Sequence, residues 1–298
     1  MVDVKEVAHK VYRFETPIPR AGGVFAVYLI SEPQGVLIEP GPAAAVPVIR
    51  EAMQRVGMKG LACIIPTHIH MDHGGGMGTL AQLFPEARVL LHPTGARHAI
   101  DPTRLVEGTR TVFGPDFEDV YGPILPVPQS QVCVPEDGEV ISVDGRELQV
   151  IYAPGHAQHH LAILDRSVHG LFCGEALGIP VHRTLPLAFP SVAPPNFDPE
   201  LYLSTIEKLR QLRPRVVFYS HGPVVTREPE SLMDSVAENT QAFGDLILNA
   251  LRQGKSEEEV RCRLNDFMAG SLGIRMDEGG LAMTVGGYAV YYRRKGLV

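Results

Sequence analysis

The chain has 298 residues, 45% hydrophobic and 20% charged, which is enough apolar material for a full core and unlike a disordered composition. Its apolar runs are all short, which excludes a membrane-spanning reading, and a formal net charge of −7 without a long basic run excludes a nucleic-acid surface. Residues 1–20 mix charged with apolar positions and lack the apolar core of a signal peptide, so a cytoplasmic protein acting on a small-molecule substrate is expected.

In chain order, short runs rich in Val, Ile and Leu predict strands at 10–14, 24–30, 36–38, 61–65 and 88–91. The turn composition of "SEPQG" makes the second and third of these an antiparallel hairpin. Helices interleave: one over 43–56 that stops at Gly57, and one after position 76 with Met77, Leu80 and Phe84 on one face. From 93 to about 132 the pattern breaks into short helical pieces with Gly and Pro, and 180–199 holds six prolines; long connections of this kind suit binding loops. Between them "DRSVHG" joins a hairpin whose arms are 159–164 and 171–174, with Leu164 opposite Leu171 and Glu175 opposite His160. A helix then opens with Asp198 as cap and Pro199 as its first residue, followed by a buried run at 216–219. Beyond Pro223 the chain turns helical, and "SEEE" carries the capping-box pattern from Ser256 to Glu259. Two successive sets of strands with interleaved helices imply a layered α/β sandwich. The expected division is a catalytic domain at 1–225, with a cap-like insertion at about 93–132, and a helical region at 226–298.

Three of the chain's 12 histidines fall within six positions in "THIHMDHGGG", between the apolar run "LACII" and the start of a helix. In an extended segment positions i and i+2 share a face, so His68 and His70 converge on one point, while Asp72 and His73 fall where the chain bends. A second cluster, "APGHAQHH", sets His156 just before the later hairpin. His221, in "YSHG", follows an apolar strand directly. Parallel strands ending at one edge would bring these segments together, with Glu175 at the same end. Imidazole and carboxylate suit zinc and other divalent first-row metals. Cys63, Cys133, Cys173 and Cys262 are far apart, form no CxxC, and are expected to be reduced and mostly packed rather than ligands. His159 and His160 are expected to pack around the site; His9, His92, His98, His169 and His182 carry no expected role as ligands.

"THIHMDHGGG", "APGHAQHH", "FCGEALG" and "YSHGP" stand in the order and spacing of the metallo-β-lactamase fold superfamily, and residues 7–223 resemble it throughout. The resemblance implies a four-layer αββα sandwich, here with a C-terminal helical appendage. It implies a dinuclear site with His68, His70 and His156 on one ion and Asp72, His73 and His221 on the other. Relatives usually carry a bridging aspartate where this chain has Glu175, and many have an aspartate where it has Glu39. Within the superfamily the chain looks most like glyoxalase II-type and related hydrolases.

Two divalent ions, zinc first and iron or manganese as alternatives, would supply a hydroxide nucleophile at neutral pH without a serine or cysteine. The expected reaction is hydrolysis of an ester, thioester or lactone, with Asp72 as the catalytic carboxylate orienting the hydroxide. An iron-dependent sulfur dioxygenase-type oxidoreductase and a phosphodiesterase are the alternatives on the same fold. The C-terminal Tyr288, Tyr291 and Tyr292 suit core packing, a homodimer contact or the substrate pocket.

Overall fold

The computed structural model describes residues 2–17, 24–182 and 185–298. Position 1 and positions 18–20 of the N-terminal stretch, and positions 183–184 of the proline-rich loop, lie outside the described residues. The chain divides into two compact units: Met1–Tyr152, His159–Gly174 and Pro214–Pro229 form the first, and Ala153–Gln158, Glu175–Arg213 and Glu230–Val298 the second.

The first unit holds two sheets. One has seven strands in chain order: β1 (Lys5–Ala8), β2 (Val11–Pro17), β3 (Val24–Ile30), β4 (Gly35–Ile38), β5 (Leu61–Ile65), β6 (Arg88–Leu90) and β7 (Val132–Cys133). β1 to β4 form an antiparallel meander, and β4 to β7 run parallel. Parallel neighbours need crossover connections. α1 (Val46–Arg55) supplies the first, and α2 (Met71–Gly74) with α3 (Met77–Leu83) the second. The helix expected over 43–56 begins as a 3₁₀ turn, Ala43–Ala45, and α1 takes over with Pro47 in its first turn, where a missing N–H is harmless. The broken stretch after position 92 folds into α4 (Pro93–Ile100), α5 (Thr103–Phe113) and α6 (Phe117–Tyr121).

Alternation along β3 explains the layering. Phe25, Val27 and Leu29 pack with Val46, Ile49, Met53 and Leu80, which lie on or beside the covering helices. Ala26, Tyr28 and Ile30 face the other way, into a core shared with Leu148, Val150, Ile163, Phe172 and Phe218 of the second sheet. A strand buried on both faces reads as a continuous apolar run, as "VFAVYLI" does. Each fully buried Val, Leu, Ile or Phe contributes about 1.5–3 kcal/mol.

The second sheet contains β8 (Val140–Val143), β9 (Arg146–Tyr152), β10 (Leu161–Asp165) and β11 (Gly170–Gly174). The chain next forms a small separate ribbon from β12 (Ile179–Pro180) and β13 (Ala188–Phe189), and then completes the second sheet with β14 (Val216–Tyr219) and β15 (Val224–Val225). The hairpin register expected from the sequence is present, with Leu164 opposite Leu171 and Ile163 opposite Phe172. The pairing does not extend to His160 and Glu175. β11 shifts register between Phe172 and Gly174 against its parallel neighbour β14, and Gly174, its last residue, stands at φ +53°.

The second unit contains α7 (Pro199–Arg210), α8 (Pro229–Arg252), α9 (Glu257–Leu272) and α10 (Glu278–Arg294). α7 opens as expected, Asp198 accepting from the N–H groups of Glu200 and Leu201, and α9 carries both hydrogen bonds of the Ser256–Glu259 capping box. α10 lies within the helical region expected over 226–298 and forms although Gly279, Gly280, Gly286 and Gly287 weaken a helical pattern. Gly287 is there for space: a Cβ would lie 2.2 Å from Val192 Cγ1. Tyr288, Tyr291 and Tyr292 are buried, and the Tyr288 hydroxyl donates to the Thr240 carbonyl at 2.7 Å, so these tyrosines serve the core. Among the described residues no helix is long and apolar enough to cross a membrane.

An ionic cluster around the buried Arg146 guanidinium lies within the first unit. Arg146, from β9, donates from Nε to Asp165 Oδ2 at 2.9 Å and a second time from Nη2, and reaches Glu32 Oε1 at 3.3 Å. Burial alone would raise the carboxyl pKa of Glu32, but hydrogen bonds from Lys10 and Arg146 outweigh it and hold the group below its usual range. Asp165 also accepts from the Ser167 N–H at 3.0 Å, so the first residue of the hairpin turn both shapes the turn and neutralises a buried guanidinium. Removing one partner of such a pair strands the other. Asp165→Ala is therefore expected to destabilise the protein by about 3–5 kcal/mol, read as a fall in the urea midpoint.

Candidate functional site

In the first unit, five of the seven expected ligands gather at the ends of β5 and β14. His68 and His73 are buried, and His70 and Asp72 are half-buried. β5 ends at Ile65; His68 and His70 follow in an irregular stretch, and α2 then turns Asp72 and His73 inward within a single helical turn. His68 Nε2 lies 2.9 Å from His70 Nδ1. The other ring nitrogen of His68, Nδ1, is 3.1 Å from Thr67 Oγ1, so Nε2 is the atom that faces His70.

Asp72, His73 and His221 form a second group whose ligand atoms converge. Asp72 Oδ2 is 3.6 Å from His73 Nε2 and 3.3 Å from His221 Nε2, and the two imidazole nitrogens are 3.3 Å apart. A triangle with sides 3.3, 3.3 and 3.6 Å has a circumradius of about 2.0 Å. That matches zinc bonds to imidazole nitrogen and carboxylate oxygen, about 2.0–2.2 Å. The donor set therefore fits a divalent ion in both chemistry and size.

Behind this group stands Glu39, wholly buried and at φ +63°. Its Oε1 accepts from Thr67 Oγ1 at 2.7 Å and Ser220 Oγ at 2.6 Å, and lies 3.1 Å from His73 Nδ1. The Thr67 N–H reaches Oε2 at 3.2 Å. A carboxylate on the far ring nitrogen fixes the imidazole tautomer and makes Nε2 a better ligand. Glu39 thus supports the His73 ring from behind within the first unit.

Phe25, from β3, meets both the His73 ring, 4.8 Å away, and the His221 ring, 5.3 Å away, edge to face, and holds the two imidazoles in place. His159 and His160 pack around His68, with ring centroids 6.1 and 4.9 Å from it. Gly174 sits so close to this corner that a Cβ would lie 2.5 Å from Thr67 Oγ1 and 2.7 Å from His160 Nε2. His92 caps α4 by accepting from the Thr94 N–H, and His169 occupies the β10–β11 turn at φ +51°, so neither joins the cluster.

The remaining two expected ligands meet in the second unit. His156 Nε2 lies 2.9 Å from Glu175 Oε2, both residues being buried. Ser191 holds the pair: its hydroxyl donates to Glu175 Oε1 at 2.6 Å, and its carbonyl oxygen lies 3.0 Å from His156 Nδ1. The Tyr202 hydroxyl donates to the Glu175 carbonyl at 2.8 Å.

Sequence reasoning missed Phe25, Thr67, Ser220, Ser191 and Tyr202. A small hydroxyl residue directly before a ligand, in "TH" and "SH", was the available signal for Thr67 and Ser220. Nothing in the local sequence marks Ser191.

A family model described as the Metallo-beta-lactamase superfamily matches residues 19–221, and the chain belongs to that superfamily. Its fold is the αββα sandwich of that group with C-terminal helices α8 to α10. A metallo-beta-lactamase fold-containing protein, ST1585, of Sulfurisphaera tokodaii is 30% identical over 167 residues, 55% of this chain and 61% of that protein. An atrochrysone carboxyl ACP thioesterase of Aspergillus fumigatus is 24% identical over 201 residues, 67% of this chain and 50% of that one. A hydroxyacylglutathione hydrolase of Albidiferax ferrireducens is 30% identical over 164 residues, 54% of this chain and 50% of that one. The matches thus span about half to three fifths of the length of these relatives. The solved structure of ST1585 from Sulfolobus tokodaii aligns over 97% of this chain and 98% of its own, with a TM-score of 0.63 at 24% identity.

Replacing Glu39 by Gln keeps its shape but weakens the acceptor facing His73. Loss of such a partner costs about 10–100-fold in metal affinity. Glu39→Gln is expected to lower divalent-metal affinity by that range in chelator competition, with the folded circular-dichroism spectrum retained.

Proposed function

We propose that this chain is a dinuclear metal-dependent hydrolase that opens an ester, thioester or lactone. The observation that carries this reading is the convergence of Asp72, His73 and His221 to a point about 2.0 Å from each ligand atom, with Glu39 behind His73. His68, His70, His156 and Glu175 would hold one ion and Asp72, His73 and His221 the other. Covalent continuity supports the first set: His156 lies four residues after the end of β9 and five before β10, and Glu175 follows directly on β11. Residues 1–225 would act as the catalytic domain, with 226–298 as an appended helical region.

When bound, two divalent ions supply Lewis acidity that makes hydroxide available near neutral pH and stabilises the oxyanion of acyl transfer. Zinc suits the nitrogen and oxygen donors, as do iron and manganese. The residues of the chain do the remaining work. His73 and His221 are held rigid by Glu39 and Phe25, so no reorganisation is needed as charge develops. Asp72, with about a third of its side chain exposed, is the carboxylate open to solvent in its group. It orients the attacking hydroxide and holds its proton. The similarity to proteins named as a thioesterase and a hydroxyacylglutathione hydrolase supports acyl transfer.

The test is a metal-analysed preparation assayed on thioesters, lactones and phosphodiesters, with oxygen uptake followed on persulfides. Turnover of a thioester or lactone is expected, and Asp72→Ala should lower it by about 100-fold or more. Full turnover by Asp72→Ala, or activity confined to phosphodiesters or to oxygen consumption, would overturn the reading.

A further inference from the structure

The second unit contains a closed arrangement that the proposed chemistry does not by itself require. Ser191 lies in the proline-rich loop between β13 and α7, far in sequence from the histidine motif, and is buried. It touches two expected ligands with different atoms. Its hydroxyl donates to Glu175 Oε1 at 2.6 Å, within the range of a charge-assisted bond to a carboxylate, about 2.5–2.7 Å. Its carbonyl oxygen accepts from His156 Nδ1 at 3.0 Å, which leaves Nε2 of that ring as the lone-pair atom. The other carboxylate oxygen, Oε2, is the one that faces His156 Nε2, 2.9 Å away. Tyr202 secures both residues by their backbones, donating to the Glu175 carbonyl at 2.8 Å and accepting from the Ser191 N–H at 3.3 Å.

We infer that Ser191 is a positioning residue for the metal centre: it holds Glu175 Oε1 aside so that the carboxylate ligates through Oε2 alone, and it sets the ligating nitrogen of His156. The inference rests on the reading that His156 and Glu175 bind a metal ion. A glutamate carboxylate rotates about its terminal bond and swings on two further torsions, so which oxygen faces His156 is not fixed unless one is tied. The Ser191 hydroxyl is that tie. The energetic reason is local, because a buried carboxylate oxygen with no donor is costly and a hydroxyl at 2.6 Å removes the cost.

Ser191→Ala is a selective probe, because it removes the hydroxyl while keeping the carbonyl that orients His156. The experiment loads wild type, Ser191→Ala, Ser191→Cys and Ser191→Thr with cobalt(II), records the visible ligand-field bands, and measures affinity by chelator competition. Circular dichroism and elemental analysis are run on the same samples. Ser191→Ala is expected to shift the bands, as the freed carboxylate changes its coordination, and to bind metal about 10–100-fold more weakly. Ser191→Thr, which keeps a hydroxyl, should restore both. Ser191→Cys, close in volume but a weak donor, should fall on the side of Ala, and it decides the matter if the Ala variant does not fold. Bands and affinity equal to wild type in a folded Ala or Cys variant would overturn the role of Ser191 and leave the metallohydrolase reading standing. A wild-type protein that takes up neither cobalt nor zinc would overturn that reading, and this inference with it.

Discussion

One carboxylate oxygen organises the first unit. Glu39 Oε1 accepts from Thr67 and Ser220 and abuts the His73 ring, so segments following β4, β5 and β14 end on the same atom. β4 and β5 belong to one sheet and β14 to the other. A buried carboxylate costs several kcal/mol unless donors surround it, so the two sheet ends have no low-energy way to separate while Glu39 stays buried. The residue also stands at φ +63°, a conformation that non-glycine residues adopt only where the surroundings over-determine it. The parallel strands β4 and β5 and the inward turn of α2 all serve this meeting point.

Around it the packing leaves little room for adjustment. Phe25 contacts the rings of His73 and His221 from one side, and the backbone N–H of its neighbour Ala26 donates to the Ser220 carbonyl at 2.8 Å. Tyr28, two residues on, donates its hydroxyl to the Tyr219 carbonyl at 2.7 Å. Burial pushes that phenol well above its ordinary pKa against the pull of Arg13, so it remains a donor at any physiological pH. β3 thus fastens the segment carrying His221 through both faces of the strand. Such closely packed interiors hold side-chain positions sharply, which a site built from convergent lone pairs requires.

The second unit reaches a similar end by other means. There the support is a single serine whose hydroxyl and carbonyl engage a carboxylate and an imidazole, with a tyrosine hydroxyl pinning the backbones of Glu175 and of the serine itself. In each unit a glutamate oxygen accepts from a hydroxyl, and a histidine is held through the ring nitrogen that does not face its fellow ligands. Hydroxyl side chains are the common element, since Thr67, Ser220, Ser191 and Tyr202 each direct an O–H at a polar atom of a glutamate.

The sequence by itself determined what depends on local pattern. The imidazole cluster at 68–73, the pairing of Leu164 with Leu171, the caps at Asp198 and Ser256 and the apolar run of β3 are all properties of a few adjacent residues. The resemblance carried by the HxHxDH segment extended this to the fold class. Tertiary structure alone decided that position 174, the last of β11, takes a glycine, because a Cβ there would collide with Thr67 and His160. It also decided that Ser191 meets Glu175 and that Phe25 wedges two imidazoles. These outcomes depend on contacts across tens to hundreds of residues, and burial by a distant partner leaves no periodic trace in the segment it buries.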